Sequence, residues 1–220
     1  MKRYCLYLFI LIGISCSAEL KAQKNGTVYK GNDPAVRYTG RTLVSSDGSV
    51  AFDWVGTYLE TRFTGGKLSV KVSETGTSYY NVFVDGKLHK VVKVCGTDTL
   101  IHLVSGIDKR IHSLKIQKRS EGEFGKTTVH QFVLSGSGRL AEELAVRTRH
   151  IEFIGNSLTC GYGTDGKHRD EPFLVETENC NLTFASMVAR YYDADYTLIA
   201  HSGRGAARNY GDSVRVSRLR

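Results

Sequence analysis

The spacing of apolar residues changes character near residue 147, and that change restricts the chain to two differently built parts. From about residue 28 to residue 140 the apolar positions alternate. Leu68, Val70 and Val72 are separated by Ser69 and Lys71, the two-residue period of a half-buried strand. Tyr80-Asn81-Val82-Phe83-Val84 runs into Asp85-Gly86, and a second apolar run covers residues 88–94. Asp-Gly between two such runs predicts a β-hairpin. Further strands are readable at 51–54, 59–63, 99–104, 112–118 and 128–134. About eight short strands with turn residues every ~8–12 positions predict an all-β sandwich or jelly roll.

After Arg147 the period differs. His150-Ile151-Glu152-Phe153-Ile154 is a short apolar strand ending at Gly155. Phe184, Met187, Val188 and Tyr191 then follow the i, i+3, i+4, i+7 spacing that gives a helix one apolar face. Tyr196-Thr197-Leu198-Ile199-Ala200 is a second apolar strand. Strand, helix, strand predicts one βαβ unit and a parallel sheet. A parallel sheet is buried on both faces and needs more than two strands, so an α/β domain ending at Arg220 reads as incomplete.

The remaining features bound the setting. Lys2 and Arg3, an apolar run over 4–14 and the small residues up to Ala22 describe a secretory signal peptide over residues 1–22. The run is too short to span a bilayer, and no other stretch is apolar enough. Cys16 gives a second reading, a lipid-modified cysteine, although Gly13 stands where a bulky aliphatic residue is usual. The expected location is therefore periplasmic or extracellular, with the lipid anchor left open. Cys95, Cys160 and Cys180 remain beyond that segment, an odd number. A Cys160–Cys180 disulfide is one expectation, and Cys95, in an apolar strand, reads as a buried free thiol. No C-x-x-C or H-x-x-x-H spacing points to a metal, and no cofactor is expected. The formal charge is +8. The basic residues are scattered, and their C-terminal cluster has no aromatic partners, which argues against nucleic acid.

The chemistry-bearing segment follows the first α/β strand: Gly155-Asn156-Ser157-Leu158-Thr159-Cys160-Gly161-Tyr162-Gly163. In an open α/β sheet, ligands bind beyond the carboxyl ends of the strands. A serine two residues past the strand end would sit there, close to turn amides able to stabilise an oxyanion. On these residues alone, an ordinary turn explains the pattern equally well. Residues 161–166 also fit G-x-G-x-x-G, and 161–167 approach a phosphate loop until His168. However, both patterns need glycines at the strand-to-helix turn, and these begin seven residues after Ile154. The elbow G-x-S-x-G fails as well, because Thr159 replaces its last glycine.

The block 151–163 resembles the first conserved block of the SGNH (GDSL-like) hydrolases, in the variant of carbohydrate esterase family 2. Phe52-Asp53-Trp54-Val55-Gly56-Thr57, the segment 80–86, Ile199-Ala200-His201-Ser202-Gly203-Arg204-Gly205 and Arg208-Asn209-Tyr210-Gly211 are similar to that family in the same order. The resemblance implies a jelly-roll domain over 24–147, followed over 148–220 by the N-terminal part of a three-layer SGNH-hydrolase domain, truncated. It implies an exported esterase that removes acetyl groups from plant cell-wall polysaccharide. Ser157 would be the nucleophile and an oxyanion donor, and Gly205, with Gly203 as the alternative, the second donor. The family's oxyanion asparagine and histidine base lie in blocks this sequence lacks. Asp165-Gly166-Lys167-His168 imitates the family's Asp-x-x-His block but lies 11 residues past Ser157, and His201 occupies the glycine block. Without its base, the chain is expected to be impaired. An inactive remnant is one alternative. A sugar-binding sandwich that uses Trp54, Tyr58, Tyr79 or Tyr80 is another, with core packing as the competing role for those rings.

Overall fold

The computed structural model describes residues 26–141, 146–211 and 213. The expected signal peptide and Cys16 lie outside the described residues. The first part is antiparallel: β1 Gly26–Lys30, β2 Val36–Thr39, β3 Leu43–Val44, β4 Val50–Phe52, β5 Tyr58–Val84, β6 Lys87–Lys118, β7 Thr127–Ser135 and β8 Arg139–Ala141. They form one eight-stranded sheet in which β5 pairs with β2, β6, β7 and β8. The sheet curls around a shared core that includes Phe63, Leu68, Leu103, Phe132 and Leu134, each without exposed surface. This is the expected sandwich.

The separate short strands merge, however. The runs at 59–63, 68–72 and 80–84 belong to a single 27-residue ribbon, and those at 88–94, 99–104 and 112–118 to one of 32 residues. Register shifts between the two ribbons at Thr64/Gly66, Val72/Glu74 and Glu74/Thr77 bend them. A bulge turns a strand without ending its pairing, and glycine punctuation in sequence looks the same for a bend as for a loop. The hairpin stands where expected. Asp85 and Gly86 both have positive φ, 49° and 75°, as a type I′ turn requires.

The second part contains β9 His150–Gly155, α1 Ser157–Cys160, α2 Phe184–Tyr191 and β10 Asp195–Ala200. β9 and β10 pair in parallel from Asp195↔His150 to Ala200↔Gly155, as the βαβ reading requires. The helix buries the wrong face for its sequence. Phe184, Met187, Val188 and Tyr191 are the exposed side, with Tyr191 82% accessible, while Ala185, Ser186 and Ala189 are packed. The small face lets α2 settle closely on Tyr196, Leu198 and the Tyr58 ring of the sandwich. Size of contact, not apolarity, decided the orientation.

Charged and aromatic contacts bind the two parts. Asp195 accepts from the Tyr58 hydroxyl at 2.7 Å and from Arg37 and Arg147, each at 2.9 Å. Arg37 also donates to Glu60 at 2.5 Å. The Lys115 ammonium lies 3.7 Å from the Tyr58 ring centroid, and burial pulls its pKa down to about 8. No helix among the described residues is long and apolar enough to cross a membrane.

Candidate active site

β9 delivers the site. Its last residue, Gly155, is followed by Asn156, whose side-chain oxygen accepts the Leu158 amide at 3.1 Å and so starts α1. Ser157 is therefore the first helical residue, only partly exposed. Gly161 ends the turn with φ +83°. In that left-handed conformation its amide, like that of Tyr162, donates to the Ser157 carbonyl, at 2.9 and 3.1 Å. A side chain on Gly161 would run into the Asn179 carbonyl, so this sharp exit suits glycine.

β10 delivers the opposite wall. His201 extends the ladder by donating its amide to the Gly155 carbonyl at 3.3 Å. The chain then turns through Ser202, Gly203, Arg204 and Gly205, and the Gly203 carbonyl accepts from Tyr210 at 2.8 Å. Ser157, Gly203 and Gly205 line one cleft of about 750 Å³, together with Asn156, Tyr162 and Arg208. The Gly205 amide is engaged, donating to Asn209 Oδ1 at 3.3 Å. The Gly203 amide donates no hydrogen bond among the described residues. Serine and both glycines, 46 to 48 residues apart in sequence, thus share one cavity. A hydroxyl that shares a cleft with an unengaged backbone amide is an arrangement that acyl transfer uses.

The two histidines do something else. His201 donates through Nδ1 to the Ser202 carbonyl at 2.8 Å, and its Nε2 lies 3.4 Å from Glu123. It lines a neighbouring pocket with Trp54, not the Ser157 cleft. His168 is exposed on the rim of a third pocket. Asp165, its partner in the imitated block, is held by Arg119 and by Asn179 at 3.0 Å. That block therefore anchors a loop.

Two cysteine expectations fail, the Cys160–Cys180 disulfide and the burial of Cys95, while Cys95 is a free thiol as expected. Cys160 and Cys180 are free thiols, both fully buried. Cys180 directs its sulfur to the Lys118 carbonyl at 3.5 Å, and burial, reinforced by Glu178, pushes its pKa up to about 12. Cys95 is exposed, because the ribbon carrying it lies at the rim of the curled sheet. Among the proposed stacking rings, Tyr58 and Tyr80 belong to the cores, 1% and 3% exposed. Trp54 stacks under Arg41 at 5.3 Å, and Tyr79 donates to Glu176 at 3.3 Å. Tyr162 lies against Phe173, centroids 3.6 Å apart, at the cleft edge.

Sequence reasoning missed the buried charges beneath the cleft. Arg119 donates from the sandwich to the carbonyls of Glu178 and Glu176 at 2.7 and 2.9 Å. Glu121 accepts the Ser202 amide at 2.6 Å and the Ser202 hydroxyl. Glu121, Cys160 and Glu178 bring ligand-type atoms within 4.8 Å of one another, the one such group of three among the described residues. No spacing rule could have found it, since the three residues come from separate segments of the chain.

Comparison with known proteins agrees with this architecture. Residues 38–143 match the carbohydrate esterase 2 N-terminal family. The chain is 33% identical over 180 residues to the cellulase/esterase CelE of Acetivibrio thermocellus, covering 82% of this chain and 22% of that protein. It is 32% identical over 179 residues to an acetylxylan esterase / glucomannan deacetylase of Cellvibrio japonicus, covering 78% of this chain and 48% of that one. The chain therefore spans half or less of the length of these relatives. Among solved structures, a family two carbohydrate esterase from Clostridium thermocellum in complex with cellohexaose superimposes with a TM-score of 0.77 at 33% identity, over 81% of this chain and 55% of the other. A family two esterase from Cellvibrio japonicus gives 0.75 at 25% identity, over 84% and 55%. It is through residues 38–143 that the chain resembles the carbohydrate esterase 2 N-terminal family.

Proposed function

We propose that the protein is an exported serine esterase acting on acetylated plant cell-wall polysaccharide, with a jelly-roll domain over 24–147 and SGNH-hydrolase architecture from residue 148 onward. The observation that carries the reading is the meeting of Ser157 with Gly203 and Gly205 in one cleft, in a chain whose relatives include acetylxylan esterases. In this mechanism the Ser157 hydroxyl attacks an acetyl carbonyl. The resulting oxyanion takes hydrogen bonds from the amides of Ser157 and of Gly205 or Gly203; the unengaged Gly203 amide supports the alternative. The sugar oxygen leaves as the alcohol, taking up the proton that Ser157 gives up, and water releases acetate from the acyl-serine and restores the hydroxyl. Tyr162 and Trp54 border the approach and offer flat faces to sugar rings.

A base is the weak point of these residues. Neither His168 nor His201 lines the cleft, and loss of one triad member lowers rate by about 10⁴–10⁶-fold by analogy with serine proteases. The chain by itself is thus proposed to be a slow esterase. The exposed apolar residues of α2 and the open edge of β9 suit a sheet that further polypeptide would extend. Turnover of 4-nitrophenyl acetate by the wild type and by Ser157→Ala tests the proposal, and equal rates would remove Ser157 from the chemistry. The alternative of a sugar-binding sandwich draws on Trp54. Affinity electrophoresis of the whole chain in acetylated xylan should lose its retardation with Trp54→Ala if that reading holds.

A further inference from the structure

Two carboxyl side chains are buried together under the cleft. Glu121, 1% exposed, sits just before the short turn Gly122–Phe124 of the sandwich, and Glu178, fully buried, lies in the loop between α1 and α2. Their oxygens and the Cys160 sulfur lie within 4.8 Å of one another. The Glu121 oxygens are both occupied: Oε2 accepts the Ser202 amide at 2.6 Å and Oε1 the Ser202 hydroxyl. Glu178 Oε2 accepts the Glu121 amide at 2.9 Å, but Glu178 Oε1 has no partner although it is shielded from water.

Nearby cations do not neutralise a second anion. Lys118 directs its ammonium to the Ser78 hydroxyl and to the Gly125 carbonyl at 3.1 Å. The Arg119 guanidinium is directed to Asp165, Asn81 and the carbonyls of Glu176 and Glu178. His201 Nδ1 is 3.6 Å from Glu121 but donates to the Ser202 carbonyl, and Glu123 faces the other ring nitrogen. The Cys160 thiol is held protonated, first by burial and then by the two glutamates. A buried carboxylate oxygen without a partner is costly, whereas a protonated oxygen becomes a donor.

We infer that Glu178 carries a proton and shares it with Glu121, and that Glu121, so kept as an acceptor, positions the 201–205 turn that lines the Ser157 cleft. Burial, followed by the charge of Glu121, pushes the Glu178 pKa up to about 9, which accords with that geometry. Glu121 is a positioning residue, since it acts on the cleft only through Ser202. The functional meaning of that position rests on reading the cleft as an ester site; the proton and the anchoring do not.

The test uses the full chain. Infrared spectra at neutral pH should show the carbonyl stretch of a buried protonated carboxyl in the wild type, absent from Glu178→Gln. Amide hydrogen exchange at Ser202 should speed up tenfold or more in Glu121→Ala. Glu178→Gln, which keeps a neutral donor, should retain wild-type protection. Ser202 protection in the wild type should also fall as pH rises through about 9, while Glu178→Gln stays flat, a contrast that simple loss of packing would not produce. An unchanged infrared spectrum, a flat wild-type profile, or one equivalent of divalent metal purified with the protein would overturn the inference. Ester turnover unaffected by Ser157→Ala, with the spectroscopic results as expected, would overturn the proposed function and leave the proton pair standing.

Discussion

Replacing Asp195 by asparagine probes the joint that holds β10, and with it the far wall of the cleft, against the sandwich. The Asp195 side chain is 10% exposed and accepts from Tyr58, Arg37 and Arg147. Asparagine is nearly isosteric but offers one acceptor oxygen and no charge, so at least one donor loses its partner. A hydrogen bond to a charged group contributes about 1.5–3 kcal/mol, and breaking a buried ion pair by removing one member costs about 3–5 kcal/mol. The Arg37 and Arg147 side chains are 23% and 32% exposed, so water compensates them in part. About 2 kcal/mol of lost stability at neutral pH is expected, read by urea unfolding with an unchanged m-value. Burial by itself would raise the Asp195 pKa, but Tyr58, Arg147 and Arg37 outweigh it and hold the carboxyl below its ordinary value of 3.8. The sign follows: its stabilisation is fully present above that ordinary value and is lost as pH falls through the lower folded value. The gap between wild type and Asp195→Asn should therefore narrow as pH falls below 3.8. A gap under about 0.5 kcal/mol at neutral pH, the range of an ordinary surface change, would refute the reasoning, as would one that persists undiminished in acid.

Three further substitutions test the packing. Met187→Gln and Tyr191→Gln should change thermal stability by less than about 0.5 kcal/mol, whereas Ala189→Leu should cost about 1–3 kcal/mol by overpacking the close side of α2; the opposite ranking would restore the sequence-based orientation. In the folded protein without residues 1–22, and so without Cys5 and Cys16, 5,5′-dithiobis(2-nitrobenzoate) should modify Cys95 quickly and reach Cys160 and Cys180 only on unfolding; a fast phase surviving in Cys95→Ser would contradict the burial of the other two.

Much was legible wherever local pattern and fold agree. Alternation along 68–72, Asp85-Gly86 between two apolar runs, and the strand–helix–strand order after residue 147 each reflect backbone geometry that a short window contains. The serine after β9 was readable for the same reason: a strand end and the turn that follows it are neighbours in sequence.

What the tertiary structure alone decided involves distance along the chain. Whether a glycine bends a ribbon or ends it depends on the partner strand, so the short runs fused into β5 and β6. Which side of α2 is buried depended on the room beside Tyr58 and Tyr196, and small side chains filled it better than Phe184 or Met187. The buried set of Arg119, Glu121, Glu178 and Asp195 is drawn from both parts of the molecule. A charge in sequence carries no sign of being inside, because its burial becomes tolerable only when partners from elsewhere in the chain supply the hydrogen bonds that water would otherwise provide.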